Sequence, residues 1–252
     1  MATIYVRSVA QLYGVSGAQI RWMRDFDGEY TLAILVVLIK TPNGCILINT
    51  GPSPNLLEMM NTRWQKIHPR RHMEITESLE DTLSWFGVSA DEVTHIVVTP
   101  LQLYTTGNLL KFPNAKICVS KAGWRRLMDP AYAKHPHDPW GTMLPQEVLH
   151  YLAGPGWNRL QLIGRDEELV PNVRVGYAGC HHRSSLWVTA VSSQYGSVSI
   201  TDAIMLKETV REGWPLGISE NMDECLAVLR RFQATDVAVP LYDPSLHGQI
   251  FA

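Results

Sequence analysis

Apolar residues recur along the chain at two spacings, which divide it into short strands and short amphipathic helices. The most apolar stretch, residues 32–39 (LAILVVLI), is continuous and therefore typical of a strand buried on both faces. The turn-forming letters TPNG at 41–44 and a further apolar run at 45–49 follow it, which predicts a β-hairpin. Apolar residues recur every three or four positions at 78–86 and 222–232, which predicts two helices.

The same reasoning places the remaining elements. Further strands are predicted at 4–10, 31–40, 94–99, 116–120, 159–164, 173–177, 186–192, 197–201 and 236–240, and further helices at 56–64 and 122–128. Ser53 is a candidate N-cap for the helix at 56–64, and Gly87 ends the helix at 78–86. The segment 134–140 (KHPHDPW) predicts a surface loop, in which His135 and His137 are solvated. Strands and helices mix through both halves without a repeat, so we expect one α/β domain over residues 1–252.

Composition and charge exclude several classes of protein. Apolar residues make up 46% of the chain and charged residues 18%, which is typical of a folded globular protein. The 22 Lys and Arg residues against 24 Asp and Glu give a net charge of -2, so no positive field attracts nucleic acid or a membrane surface. The run at 32–39 is far shorter than the ~20 residues that cross a bilayer. The N-terminus lacks the pattern of a signal peptide, so we expect a cytoplasmic protein.

The four cysteines, Cys45, Cys118, Cys180 and Cys225, are widely separated and contain no Cys-x-x-Cys pair. This spacing argues against a disulfide framework or a zinc ribbon. We therefore expect reduced thiols, with Cys180 a small buried apolar residue rather than a nucleophile.

Three segments together carry a family pattern. They are ILINTG at 46–51, VTHIVVTPLQLYTTGN at 93–108 followed by FPNA at 112–115, and a third that runs from GCHHRSS at 179–185 through TDA at 201–203 to PLYDP at 240–244. In order and spacing they resemble the metallo-β-lactamase superfamily, specifically its branch of N-acyl homoserine lactonase-like hydrolases. The resemblance implies an αββα sandwich, two mixed sheets packed face to face with helices outside. In active members of the family it also implies two metal ions at the shared edge of the sheets and a bridging water that attacks a lactone or amide carbonyl.

The chain departs from the metal-binding motif of that family at most positions. The resemblance implies histidine at 100, 102, 105 and 242 and aspartate at 104, whereas the chain has Pro100, Gln102, Tyr104, Thr105 and Tyr242. Asn49 also stands where a supporting carboxylate is implied. Only His181 and Asp202 match ligand positions, and zinc takes three or four protein donors. We therefore expect no two-metal centre and no cofactor, and a single weakly held metal at His181 and Asp202 stays open.

The residues at these positions predict a polar, metal-free pocket. Asp202 would orient the ring of His181, which then suits a general base near neutral pH. Tyr104 or Tyr242, neutral at pH 7, would donate a hydrogen bond to a developing oxyanion. The candidate substrate-binding residues are Gln102, Thr105 and Arg183. Arg183 suits a substrate carboxylate or a plain surface role. The neighbouring His182 is expected to face away from His181, because neighbours on an extended chain alternate.

Two functions stay open at this stage. The first is a metal-independent hydrolase acting on a small carbonyl compound, a lactone or an ester. The second is a non-catalytic pseudoenzyme, in which His181 and Asp202 merely tie strands together and the protein binds a ligand or serves as partner subunit of an active homologue. The expected partners are a small-molecule ligand or substrate and a second subunit, either identical or homologous. Nucleic acid and membranes are not expected partners.

Overall fold

Two mixed β-sheets and the helices that flank them make up the computed structural model, which describes residues 1–129 and 144–252. In chain order the strands are β1 Thr3–Ser16, β2 Glu29–Thr41, β3 Gly44–Ile48, β4 His72–Ile75, β5 Val93–Val97, β6 Lys116–Ser120, β7 Leu160–Ile163, β8 Glu167–Val170, β9 Val173–Tyr177, β10 Leu186–Ser192, β11 Gly196–Thr201, β12 Val237–Pro240 and β13 Ile250–Phe251. The helices are α1 Gly17–Ile20, α2 Pro54–Ile67, α3 Leu79–Phe86, α4 Leu103–Thr106, α5 Lys121–Met128, α6 Gln146–Leu152, α7 Lys207–Glu212 and α8 Met222–Gln233.

The larger sheet changes from antiparallel to parallel along its width. Its order is β13-β1-β2-β3-β5-β6-β7, with β4 also pairing with β1. Strands β1, β2 and β3 pair antiparallel, whereas β3, β5, β6 and β7 are parallel. Because parallel strands end at the same edge of a sheet, the residues that follow β3 and β5 emerge side by side.

The smaller sheet sends its own strand ends to a shared edge. Its order is β12-β11-β10-β9-β8, and β12 is parallel to β11. Strand β9 also runs in that direction, because β9 and β11 each pair antiparallel with β10 between them. The segments that follow β9, β11 and β12 therefore leave the sheet at one edge. These segments contain His181, Asp202 and Tyr242.

Apolar side chains fill two layers of core. One lies between the sheets and contains residues such as Ile4, Ile48, Val97, Val188 and Ile200, each fully buried. The other lies beneath the helices and includes residues of both sheets, such as Leu38 of β2 and Trp187 of β10. Every residue from 32 to 39 in β2 is buried, as its uninterrupted apolar run predicted. The predicted class, an α/β fold of two packed sheets with helices outside, is confirmed.

Most predicted elements are present, with different ends. The first strand continues beyond residue 10 to Ser16, because two bulges let β1 bend while it stays paired with β2. Ser53 precedes α2 but its side chain caps nothing, whereas Ser78 caps α3 by accepting from Asp81 N–H. Gly87 ends α3 in the left-handed conformation, as predicted. The short strands β4, β8 and β13 were not predicted, and the predicted loop at 134–140, with His135 and His137, lies outside the described residues.

Cys180 and Cys225 form a disulfide, so the prediction of reduced thiols is wrong for this pair. The pairing could not be predicted from the sequence, because the two cysteines lie 45 residues apart and belong to no recognised motif. The bond joins the turn after β9 to α8. Cys45 and Cys118 are free, and burial raises the pKa of Cys118 to about 12, so that thiol is unreactive at neutral pH. No helix among the described residues is long and apolar enough to cross a membrane.

Candidate functional site

A cavity of about 490 Å³ lies at the edge where strands of both sheets end. Side chains from β1, β2 and α2 supply much of an apolar lining. Polar side chains come from the segments that follow strand ends, and they include Gln102, Tyr104, His181, His182 and Tyr242. Pockets of roughly 300–1,000 Å³ with an apolar lining and a few convergent polar groups are typical of small-molecule sites.

Asn49 fixes the strand ends beneath the cavity. It follows β3 in the left-handed region (φ 63°), which asparagine tolerates better than most residues. Its buried Oδ1 accepts from the backbone N–H of Thr99 at 2.8 Å, and its Nδ2 donates to the Thr99 carbonyl at 2.8 Å. The side-chain amide therefore makes the same pair of hydrogen bonds with Thr99 that the backbone of an adjacent strand would make. This contact continues the pairing of β3 with β5 beyond the ends of the two strands.

Asp202 is fully buried behind the cavity and accepts hydrogen bonds from several directions. Its Oδ2 accepts from Ser185 Oγ at 2.6 Å and lies 3.1 Å from His181 Nδ1. Its Oδ1 contacts Thr99 Oγ1. A carboxylate only accepts, so we assign the imidazole proton to Nδ1 and the lone pair to Nε2. Burial, aided by the neighbouring His182, lowers the pKa of His181 and keeps it neutral at pH 7.

Tyr104 and Tyr242 meet at their hydroxyl groups. Tyr104 lies in α4 and Tyr242 follows β12, and their Oη atoms are 3.0 Å apart. Burial raises the pKa of both phenols above the ordinary value, so both remain neutral donors. One phenol donates to the other, which leaves a second hydroxyl hydrogen for another acceptor. The His181 ring stands edge-on to Tyr242, with ring centroids 5.8 Å apart.

Of the predicted substrate-binding residues, only Gln102 lines the cavity. Thr105 is buried and its Oγ1 contacts the carbonyl of Pro100 at 2.6 Å, so it closes the turn that begins α4. Arg183 is exposed, and its Nε lies 3.5 Å from Glu220 Oε2. The structure thus does not bring Thr105 or Arg183 to the cavity, and for Arg183 it supports the surface role.

His182 lies beside His181 rather than opposite it. The two ring centroids are 4.1 Å apart and both residues line the cavity. The expectation that they face apart is wrong because the chain turns here instead of extending. Gly179 (φ 60°) and Cys180 (φ 65°) both adopt the left-handed conformation. A Cβ on Gly179 would lie 2.1 Å from the Glu224 carboxylate, so this turn requires glycine.

Arg71 is a cavity residue that sequence reasoning missed. It lies between α2 and β4 and lines the cavity together with Gln19. Its Nη2 contacts the side-chain oxygen of Gln19 and the Gly14 carbonyl, and burial lowers its pKa. The only sequence signal was the pair of arginines at 70–71, which resembles any charged surface turn.

The described donors do not fit a two-metal centre. His181 and Asp202 are the only ligand-type residues at the matching positions, and Nδ1 of one already faces Oδ2 of the other. Tyr104 and Tyr242 are neutral phenols engaged with each other, and a phenol binds metal well only once ionised. Within residues 1–129 and 144–252 no group of three or more His, Cys, Asp or Glu side chains could hold a metal ion.

Comparison with known proteins identifies the fold. No family model and no curated protein matches the chain. A quorum-quenching N-acyl homoserine lactone lactonase aligns with a TM-score of 0.71 at 17% identity, over 96% of this chain and 92% of its own. An N-acyl homoserine lactone hydrolase, with N-hexanoyl-L-homoserine bound at its catalytic metal centre, gives 0.73 at 17% identity over 96% and 94%. A probable metal-dependent hydrolase from Staphylococcus aureus gives 0.73 at 14% identity over 96% and 89%.

The chain therefore has the metallo-β-lactamase fold over nearly its full length, as the sequence resemblance implied. Its structural neighbours include lactonases and metal-dependent hydrolases. Identities this low establish the fold alone, and the chemistry has to be argued from the residues in the cavity.

Proposed function

We propose that this protein is a metal-independent hydrolase of a small lactone or ester, in which His181 is the general base. The observation that carries the proposal is the convergence of two pairs at one cavity. The His181–Asp202 pair combines a neutral imidazole with a buried carboxylate at 3.1 Å, and the Tyr104–Tyr242 pair offers a neutral donor beside it.

The chemistry follows from the protonation of these groups. Nε2 of His181 takes a proton from water as the water oxygen bonds to the substrate carbonyl carbon. Asp202 stabilises the imidazolium that forms, and the free phenol hydrogen of the tyrosine pair donates to the developing oxyanion. The carbon–oxygen bond to the leaving group then breaks, and the imidazolium returns its proton to the departing alkoxide. The products are a carboxylic acid and a hydroxyl group.

The donor chemistry of the site favours a mechanism without metal. Both carboxylate oxygens of Asp202 and Nδ1 of His181 have protein partners, so this pair offers a metal only Nε2 of His181. Substitution of strong ligands by tyrosine, glutamine and proline also removes negative charge that a dication requires. The His181–Asp202 pair therefore suits general-base catalysis better than it suits metal coordination.

Turnover by protein treated with a chelator tests the proposal. A panel of lactones and esters is screened first, and kcat/KM is then measured for His181→Ala and Tyr104→Phe. We expect each variant to lose at least about 100-fold, because a general base and an oxyanion donor each contribute that much. Matched controls are His150→Ala and Tyr195→Phe, which change the same residue types away from the cavity. Unchanged turnover in His181→Ala, or activity that chelation removes and metal restores, would overturn the proposal.

The second candidate is a non-catalytic protein that binds a ligand. It is favoured by the absence of Ser, Thr and Cys among the described residues that line the cavity, which leaves no side-chain nucleophile of that kind. In that case the His181→Ala and Tyr104→Phe variants alter affinity only, and no substrate is turned over. A role as partner subunit of an active homologue predicts instead that a pull-down recovers a metal-bearing homologous chain, whereas a homo-oligomer would return only this chain.

A further inference from the structure

Arg71 is a partly buried cation with no anionic partner among the described residues. Its Nη2 contacts two neutral oxygens, those of the Gly14 carbonyl and the Gln19 side chain. Its Nε is buried and has no hydrogen-bond partner. Across the described part of the chain no Asp or Glu forms an ion pair with it, and its guanidinium remains charged at any physiological pH. A buried charge with an unused donor costs free energy until an anion pairs with it.

Other arginines of this protein show how such charges are usually matched. Arg7 lies 2.8 Å from Glu77, and Arg21 contacts two glutamates although its side chain is only 11% exposed. Even the exposed neighbour Arg70 lies 2.7 Å from Glu29. Arg71 differs from these three in facing a cavity instead of a carboxylate.

The described lining of the cavity around Arg71 is free of carboxylates. No Asp or Glu occurs among the described residues that line it. The hydroxyl groups in its described lining belong to the tyrosine pair, and the charge of Arg71 acts electrostatically on Tyr104. An anionic group bound at Arg71 would therefore lie next to the proposed oxyanion donor, and the guanidinium fork matches a carboxylate in shape.

The rest of the cavity suits a hydrocarbon chain. Its apolar lining includes Leu12, Leu32, Met60, Trp64 and Leu103, which come from β1, β2, α2 and α4. Burial of each methylene group in such surroundings favours binding, because it removes apolar surface from water. Arg63 also lines the cavity. An apolar wall beside Arg71, which has no acidic partner among the described residues, is the complement of a molecule with a chain and an acidic end.

We propose that the cavity binds a small amphiphile with an apolar chain and a carboxylate, and that Arg71 pairs with that carboxylate. As a statement about substrate it rests on the proposed function, and it narrows the substrate to acyl compounds that carry an acidic group. As a statement about binding it stands on the cavity alone.

Octanoate and 1-octanol test the charge at equal chain length. Isothermal titration calorimetry should give an affinity for octanoate at least 10-fold higher than for 1-octanol. Arg71→Gln should remove that difference while binding of 1-octanol changes less than 3-fold. Arg70→Gln is the matched control, since it removes the adjacent and exposed arginine, and it should keep the preference for octanoate. Circular dichroism melting verifies that each variant is folded.

The outcomes separate this inference from the proposed function. Equal affinity of the native protein for octanoate and 1-octanol overturns the inference, whatever Arg71→Gln does and even if that variant fails to fold. An octanoate preference that survives in folded Arg71→Gln also overturns it. A preference that depends on Arg71, in a protein that hydrolyses no lactone or ester, supports the carboxylate site and rejects the hydrolase. Turnover of a lactone or ester by a protein that shows no preference for octanoate supports the hydrolase and rejects the carboxylate site.

Discussion

The phenol oxygens of Tyr104 and Tyr242 lie 3.0 Å apart across 138 positions of sequence. Tyr104 belongs to the segment after β5 of the larger sheet, and Tyr242 to the segment after β12 of the smaller one. The contact therefore joins the two sheets at the cavity. It also sets the number of hydroxyl hydrogens available there, because one of the two is used between the phenols.

The tyrosine pair should show energetic coupling. Tyr104→Phe and Tyr242→Phe should each lower the free energy of unfolding by about 1 kcal/mol, because each leaves a buried hydroxyl without its partner. The double variant should lose less than the sum, with a coupling of about 1 kcal/mol. Urea unfolding of the four proteins measures this. Strict additivity would mean that the hydroxyl contact contributes nothing to stability.

Turnover should depend on pH through His181. Burial, with a smaller contribution from His182, lowers the pKa of His181 below its ordinary value. The base is active when neutral, so kcat/KM should rise with pH through that lowered pKa and then level off, with its midpoint on the acid side of an ordinary imidazole. The phenols should cause no loss on the alkaline side up to about pH 10, since burial raises the pKa of both. A rate profile over pH 4.5 to 9.5 checks this, and an activity that falls between pH 7 and 9 contradicts it.

The disulfide should stabilise the fold next to the site. It closes a sequence separation of 45 residues, for which chain entropy predicts about 2–4 kcal/mol. The double variant Cys180→Ser/Cys225→Ser should have a free energy of unfolding lower by that amount, as measured by urea unfolding. A reductant should likewise lower the free energy of unfolding of the native protein. Cys45→Ser, which removes a free thiol, is the control. If reductant leaves the native protein unchanged, the two thiols are not linked in solution. A linked pair also weighs against a cytoplasmic location, where thiols stay reduced.

Metal content should be low. Protein purified without chelator should contain well under one zinc, manganese or iron ion per chain by elemental analysis, because the described donor set is too small. Its melting temperature should not change when chelator is added. Two bound equivalents would show that residues other than His181 and Asp202 complete a centre.

Sequence alone predicted the sheets because their signals are local. The run at 32–39 and the motifs at strand ends are contiguous, and parallel strands bring such ends together. The orientation of single side chains was beyond the same reasoning. Thr105 and Tyr104 are adjacent on a one-turn helix, yet Thr105 bonds to backbone and Tyr104 reaches the cavity. Arg71 was missed because it is unusual in having no acidic partner among the described residues, and the surroundings of a side chain are known only from the three-dimensional structure.

Asn49 has a consequence for any attempt to engineer metal binding into this scaffold. Its amide both donates to and accepts from Thr99, whereas the carboxylate of Asn49→Asp could only accept. The substitution would leave the buried Thr99 carbonyl without its hydrogen-bond donor. This would lower the free energy of unfolding by about 1–3 kcal/mol in the absence of any bound ion. Building a metal centre into this scaffold would therefore demand concerted redesign of the strand junction, and a protein engineer who introduced ligands singly would meet an unstable intermediate at the first step.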